Sequence, residues 1–262
     1  MSTSAKPNRS NRRGQARSKI RENSSAIPEI IPGVRREIPT YDLLGDEQLD
    51  LIEQNAARIL KEVGVEFRGD AEALEHWRNA GADVKGERVR FDDGLVQSII
   101  ARSGRRTFTQ YARNPKRSVE LGGNNVVFAP AYGMPFVHDI DAGRRYGTLA
   151  DFQNLIKLTY ASPWLHHSGG TVCEPVDQPV NKRHLDMVYA HLRFSDKPFM
   201  GSVTTPERAE DSIEMARIAF GRDFVDANCV IMGNINMNSP LVYDQAMSGS
   251  LRAYARANQC PV

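Results

Sequence analysis

Between residues 38 and 122 the apolar residues fall at helical spacing. Leu49, Ile52, Ala56, Ile59, Leu60 and Val63 form one stripe, with Asp46 placed to cap it and Gly64 to stop it. Asp70 opens a shorter pattern around Leu74 and Trp77 that closes at Gly81. Leu95, Val96, Ile99 and Ile100 mark a third helix over 94–102. Val89 and Phe91 alternate with polar neighbours and predict a short strand. No cluster of titratable groups interrupts these elements, which read as scaffold.

From about Asn125 the pattern changes to short, small-residue-rich apolar runs that alternate with amphipathic helices. Val126–Ala129 is the first run, and Gly133 to His138 follows as a hairpin-like excursion. Thr148 and Asp151 have capping-box spacing ahead of a helix carrying Phe152, Leu155, Ile156 and Leu158. The second run, 165–173, precedes a helix over 180–194. The third, 198–204, precedes a helix capped by Thr205 with Pro206 at its first position and Ile213, Ala216 and Phe220 inward. The fourth, 229–235, precedes a helix over 243–258, and Cys260-Pro261-Val262 starts a fifth.

The later runs begin near 198, 229 and 260, a beat of about thirty residues, which is one βα unit. Repeated βα units give parallel strands with right-handed crossovers, in an open doubly wound sheet or a closed (β/α)8 barrel. No Gly-x-Gly-x-x-Gly follows a strand candidate, so a dinucleotide-binding sheet loses ground. The expected fold is α/β. Residues 123–262 supply about the first four βα units of a TIM barrel, preceded by a small helical extension over 38–122 and a basic leader and linker over 1–37. A chain that stops as a strand begins is expected to continue. Its uncovered strand edge invites association, with another chain or a second copy.

Composition adds a charge asymmetry. The formal charge is +2, yet residues 1–36 hold nine Lys or Arg against Glu22 and Glu29, and the other 226 residues hold 25 basic and 30 acidic side chains. The body is not a basic nucleic-acid binder. The leader, Met1 to about Ser25, has too little apolar surface to offset chain entropy and reads as disordered. An RNA- or DNA-touching arm is one reading of it. A solvated leader is favoured, because no aromatic is interleaved for base stacking. No apolar run approaches the roughly 20 residues of a membrane span, and no apolar stretch follows the basic N-terminus as in a secretory signal. Cys173, Cys229 and Cys260 are an odd, widely spaced set that fits a reducing, cytoplasmic setting.

In a barrel, chemistry gathers where strands end and in the loops after them. Glu174 is the carboxylate at the end of the second run, suited either to offsetting a cation or to a salt bridge. Tyr132 and Phe136 could line a cage for a quaternary ammonium, or simply pack beside their Gly and Pro neighbours. Asn234, Asn236 and Asn238 share one face if their strand persists, to hold a polar ligand or to cap a loop. His166 and His167 point opposite ways on a strand and cannot serve one site, and no close ligand pair anchors a zinc ion. His184 and His191 lie seven apart on one helix face and read as interhelical or surface residues. No metal site and no catalytic residue is assigned.

Assembled in order, these segments resemble the trimethylamine methyltransferase family, including its members without pyrrolysine that act on glycine betaine and related quaternary amines. The matching pieces are LDLIEQNAARILKEVGVE at 49–66, FAPAYGMPFVHD at 128–139, SGGTVCEPVDQP at 168–179, HLDMVYAHLRFSDKPFMGSV at 184–203 and MGNINMNSPLVYD at 232–244. It is the ordered series that matches, from about residue 38 onward, and not one short motif. The resemblance implies a TIM barrel with a helical extension. It also implies transfer of a methyl group from a tertiary or quaternary methylated amine to the cob(I)alamin of a corrinoid protein. The cobalamin is then carried by that partner and not bound by this chain. Tyr132, Phe136, Glu174 and Asn234 to Ser239 map onto a pocket for such a substrate. The pyrrolysine position of trimethylamine-specific members falls beyond Val262, so the branch is not read from these residues. The competing reading is a non-catalytic half-barrel that binds a ligand or a second chain, or an inactive fragment.

Overall fold

The computed structural model describes residues 28–31, 33–238 and 240–262. The leader expected to be disordered lies outside the described residues up to residue 27, as does Ser239. In chain order the described elements begin with β1 (Val34–Arg35), α1 (Asp46–Glu62), β2 (Val65–Arg68), α2 (Ala71–Asn79), β3 (Asp83–Lys85), β4 (Arg88–Arg90), α3 (Leu95–Ser103), β5 (Thr107–Gln110), β6 (Val119–Gly122) and β7 (Asn125–Val126). They continue with β8 (Phe136–Asp139), β9 (Gly143–Tyr146), α4 (Leu149–Ala161), α5 (Arg183–Phe194), β10 (Phe199–Met200), α6 (Pro206–Phe220), α7 (Arg222–Ala227), β11 (Ile231–Gly233), β12 (Val242–Asp244), α8 (Gln245–Arg256) and β13 (Cys260–Pro261). The architecture is mixed α/β, with several small sheets.

Helix α1 forms where its stripe predicts, but it starts behind Gly45. Asp46 is therefore a first-turn residue and not the cap. Its carboxylate still favours the positive end of the helix. None of α1 is buried. Asp70 caps α2 as expected, accepting from the Ala73 amide at 3.0 Å. Val89 and Phe91 lie in the core, and the sheet around β4 contains strands that the periodicity did not mark. Its order is β12-β2-β4-β3, with β12 parallel to β2 through Val242–Glu66 and Asp244–Arg68. The packing beneath is aromatic: Trp77 meets Phe91 edge-on at 4.8 Å, and Phe67 stacks on Tyr243 at 5.6 Å. Residues of the 38–122 extension thus share one sheet with 242–244, and β1 pairs antiparallel with β7.

The third, fourth and fifth apolar runs form a parallel sheet, β10-β11-β13, in the register Phe199–Ile231 and Met232–Cys260. Val188, Ile213, Ala216 and Tyr254 from helices α5, α6 and α8 pack with Phe199, Val230 and Ile231. The first two runs behave differently. The first is a strand only at Asn125–Val126, and the second contains no strand. Histidine rings take the amides that a ladder would use: His166 Nδ1 accepts from the Phe128 amide at 3.1 Å, and His167 Nδ1 from the Gly169 amide at 2.8 Å. The runs still lie side by side, through His166 N to Phe128 O at 2.9 Å, Ser168 N to Pro198 O at 2.7 Å and Met200 N to Gly169 O at 2.9 Å.

The excursion after the first run is the β8–β9 hairpin. Thr148 and Asp151 complete the capping box of α4, and Arg145 of β9 pins that box by reaching Asp151 at 2.5 Å and Asp139 at 3.1 Å. Thr205 caps α6 with Pro206 at its first position, as expected. Helix α7 was not marked by periodicity. It follows α6 directly because Gly221 adopts φ 91°, a turn that other residues resist.

Candidate functional site

The loops after the parallel runs converge on one end of the β10-β11-β13 sheet. Tyr254 sets the floor: it is fully buried, donates from Oη to Ser202 O at 2.9 Å, and lies against Gly201 and Gly233. A side-chain carbon at Gly233 would come within 2.5–2.6 Å of the Tyr254 ring, so both strand ends need glycine. Burial pushes the Tyr254 hydroxyl upward in pKa, which keeps it a neutral donor. Above this floor, the loop after the first run is tied to the loop after the second by Gly133 N to Thr171 O at 2.7 Å and Glu174 N to Met134 O at 2.9 Å.

The six residues expected at the site go to different places. Tyr132 and Asn234 come together: Asn234 Nδ2 donates to Tyr132 Oη at 2.9 Å, joining the loops after the first and fourth runs across the strand ends. Glu174 sits at the end of the second run and accepts from Arg183 Nη1 at 2.5 Å, so its charge is partnered. Phe136 lies on β8, where the Arg144 guanidinium covers its ring at 3.9 Å and Tyr146 packs at 4.8 Å. The strand carrying the asparagines ends at Gly233, which breaks their alternation. Asn236 is exposed, and Asn238 turns away to donate to Asp244 Oδ2 at 2.7 Å and to form a bridge with Val242.

Beneath the loops runs a buried polar line. His167 Nδ1 accepts from Gly169, which leaves Nε2 to donate to Gln110 Oε1 at 3.1 Å; the Gln110 amide then donates to Phe199 O and Val230 O. His191 accepts from Ser168 Oγ at Nδ1 and donates from Nε2 to Gly170 O, at 2.8 and 3.0 Å. Both rings are neutral. Burial, helped by neighbouring His191, pushes His167 down to about 3. Burial pushes His191 down to about 4, against the pull of Gly170 O. Burial likewise raises the Cys173 thiol to about 11, so it is not a nucleophile at neutral pH. Among the described residues no three of His, Cys, Asp and Glu are grouped to hold a metal ion, and no helix is long and apolar enough to cross a membrane.

One crevice at these strand ends was not foreseen. It has a volume of about 110 Å³ and lies between the loops after the second and third runs, beside Glu174. Arg183 and Arg208 line it, with His184, Thr171, Ser202 and Thr204. The sequence held a signal for it. Arg183 is the first residue of α5 and Arg208 the third of α6, and a cation in a helix's first turn runs against the helix dipole.

The model of the family described as Trimethylamine methyltransferase (MTTB) matches residues 9–262. The chain belongs to the trimethylamine methyltransferase family. It is similar to a glycine betaine methyltransferase of Desulfitobacterium hafniense (strain Y51), 44% identical over 226 residues that cover 86% of this chain and 47% of that protein. It is also similar to a proline betaine:corrinoid methyltransferase of Eubacterium limosum, 28% identical over 167 residues, 62% of this chain and 34% of that one. The matched stretches cover less than half the length of either relative. The family resemblance read from the sequence is thereby established.

Proposed function

We propose that this chain carries the first half of the substrate-facing mouth of a TIM-barrel methyltransferase. The enzyme moves a methyl group from glycine betaine, or a close quaternary relative, to the cob(I)alamin of a corrinoid protein. The observation that carries the reading is the 44% identity to a glycine betaine methyltransferase across 86% of the chain. The side-by-side runs, each followed by a helix, support the barrel, with residues 38–122 packed against it.

The chemistry asks little acid or base of the protein. A quaternary ammonium leaves as a neutral amine, so what remains is to align one methyl carbon with the acceptor and to match the substrate's charges. The corrinoid, held by its own carrier protein, supplies that acceptor. This chain fits such a partner: Tyr132, Met134 and Met237 are exposed at the strand ends, as a docking rim requires. In this reading the Tyr132 ring faces the ammonium, and Asn234 fixes the ring's orientation. Glu174 supplies a negative charge near the cation while paired to Arg183, and Asn236 is exposed where it can reach the ligand. Phe136 presents a face that already binds a cation, that of Arg144.

The test is methyl transfer by the enzyme that contains this chain, followed as loss of cob(I)alamin absorbance and formation of dimethylglycine from glycine betaine. Tyr132→Phe, Glu174→Gln and Asn236→Ala are each expected to lower kcat/KM by about ten- to a hundredfold, or about 1–3 kcal/mol, with melting temperature nearly unchanged. No transfer from any quaternary amine would refute the reading. Normal activity in all three variants would remove the pocket from these loops.

A further inference from the structure

Glu174, assigned above to the ammonium, also lines the crevice, where Arg183 pairs with it; the remaining charged wall is cationic and suits an anion. Arg183 and Arg208 belong to the first turns of α5 and α6, helices of 12 and 15 residues. Their amino ends add partial positive charge in the same direction. Arg183 is tied down: Nη1 holds Glu174, and Nε and Nη2 donate to Gln178 O at 3.2 and 2.9 Å. Arg208 makes no ion pair among the described residues. It spends one donor on Thr204 Oγ1 at 3.0 Å, and Thr204 in turn lies 3.2 Å from Ser202 Oγ. Guanidinium and two hydroxyls thus form a chain of donors along one wall.

The second, independent observation is His184. Its side chain is 5% exposed and lines the crevice, and its Nε2 lies 2.8 Å from Asp211 Oδ2. Its Nδ1 is buried and has no hydrogen-bond partner among the described residues. A buried imidazole nitrogen without a partner is unfavourable, so an atom that fills the position is favoured. With Asp211 accepting from Nε2, Nδ1 is the ring atom left to meet a partner from the crevice. Behind His184 the crevice continues into a hole of about 20 Å³, room for a water and no more. The ligand must therefore be small.

We propose that this crevice binds a small carboxylate, held by Arg208, Ser202 and Thr204 in a space that His184 also lines. Arg183 stays neutralised by Glu174, so Arg208 carries the discrimination. Where the substrate is a betaine, the crevice recognises its carboxylate and rejects quaternary amines that lack one; that identification of the ligand rests on the function proposed above.

The experiment is calorimetric titration of the purified enzyme that contains this chain with sodium acetate, glycine betaine and choline chloride at constant ionic strength. Acetate and glycine betaine are expected to saturate one site and to compete for it, while choline neither binds there nor competes. Arg208→Gln is expected to weaken acetate at least tenfold with an unchanged melting temperature, because among the described residues the side chain bonds only to Thr204. Thr204→Val should weaken it three- to fivefold, and Arg208→Lys should restore part of the loss. Absence of saturable acetate binding, or equal affinity in Arg208→Gln, overturns the proposal. Acetate binding that needs Arg208 but is not displaced by glycine betaine upholds the carboxylate site and defeats its assignment to a betaine. Glycine betaine turnover with no acetate site leaves the methyltransferase reading standing and removes this one.

Discussion

The sheet built around β2 and β4 and the sheet β10-β11-β13 are cored by different chemistry. The first rests on Val65, Phe67, Val89, Phe91 and Leu74, with Trp77 tilted and Tyr243 stacked against Phe67. Its one buried charge, Asp70, sits at its margin, where Arg252 of α8 clasps both carboxylate oxygens at 2.7 and 2.9 Å. The second has Gln110, His167, Ser168, His191 and Gln259 fully or almost fully buried among its apolar residues. An apolar core is satisfied by volume and shape. A polar core works only when every donor meets its acceptor, and in return it can hold irregular backbone. That is why the runs at 125–129 and 165–173 carry loops and strand ends without regular ladders.

Acid should separate the two sheets most strongly. His167 and His191 titrate near 3 and near 4 when folded and near 6.5 when unfolded, so the unfolded chain binds more protons in between. Their neutral forms contribute full stability above pH 6.5, and that contribution fades as pH falls through 6.5 toward 4 and 3. The expected loss is about 1 kcal/mol or more per pH unit for each histidine. Urea midpoints from pH 7.5 to 4.5 measure it, and His191→Gln should flatten the slope. A slope unchanged by that substitution would mean the histidines are not what the acid attacks.

The joint between the sheets comes next. Asp70 lies at 2% exposure, and the Ser248 hydroxyl and the Ala73 amide also bond to it. Burial opposes its charge, and the bonds from Arg252 and Ser248 outweigh this and hold its pKa below the usual range. Arg252→Met strands that carboxylate and is expected to cost about 3–5 kcal/mol in chemical denaturation. A loss under about 1 kcal/mol would show that the sheets are not clasped there.

Gln110→Leu is smaller in effect. It fills the space but leaves Phe199 O, Val230 O and the His167 ring without their partner, for about 1–3 kcal/mol. Its denaturation curve compared with that of an apolar swap such as Val89→Ile shows whether polar satisfaction or volume governs each core. Least of all, Glu174→Gln should change stability by about 0–1 kcal/mol, because its pair with Arg183 is partly exposed.

Much of this was legible in local signals. Thr148 with Asp151, Thr205 with Pro206 and Asp70 announce helix starts, because a cap is a contact between residues two or three apart. The parallel beat was legible too, since strands buried on both faces are continuous apolar runs. What escaped depends on distant partners. Phe67 and Arg68 form a strand because Tyr243 and Asp244 lie beside them, and 165–173 fails to because its histidines bond backbone amides. At the site, the meeting of Tyr132 with Asn234 is a property of the folded loops. The crevice of Arg183, His184 and Arg208 needed two helix starts brought side by side.

The clasp of Asp70 by Arg252 and Ser248 also sets a timetable. Asp70 and Ser248 are 178 residues apart, and β2 waits equally for β12 to give it a parallel neighbour. At roughly 5–20 residues per second a ribosome needs on the order of 10–40 s to deliver the later partner. During that interval the apolar faces of Val65 and Phe67 lack one flank, and the newborn segment is at its most vulnerable to mispairing or to capture by a chaperone.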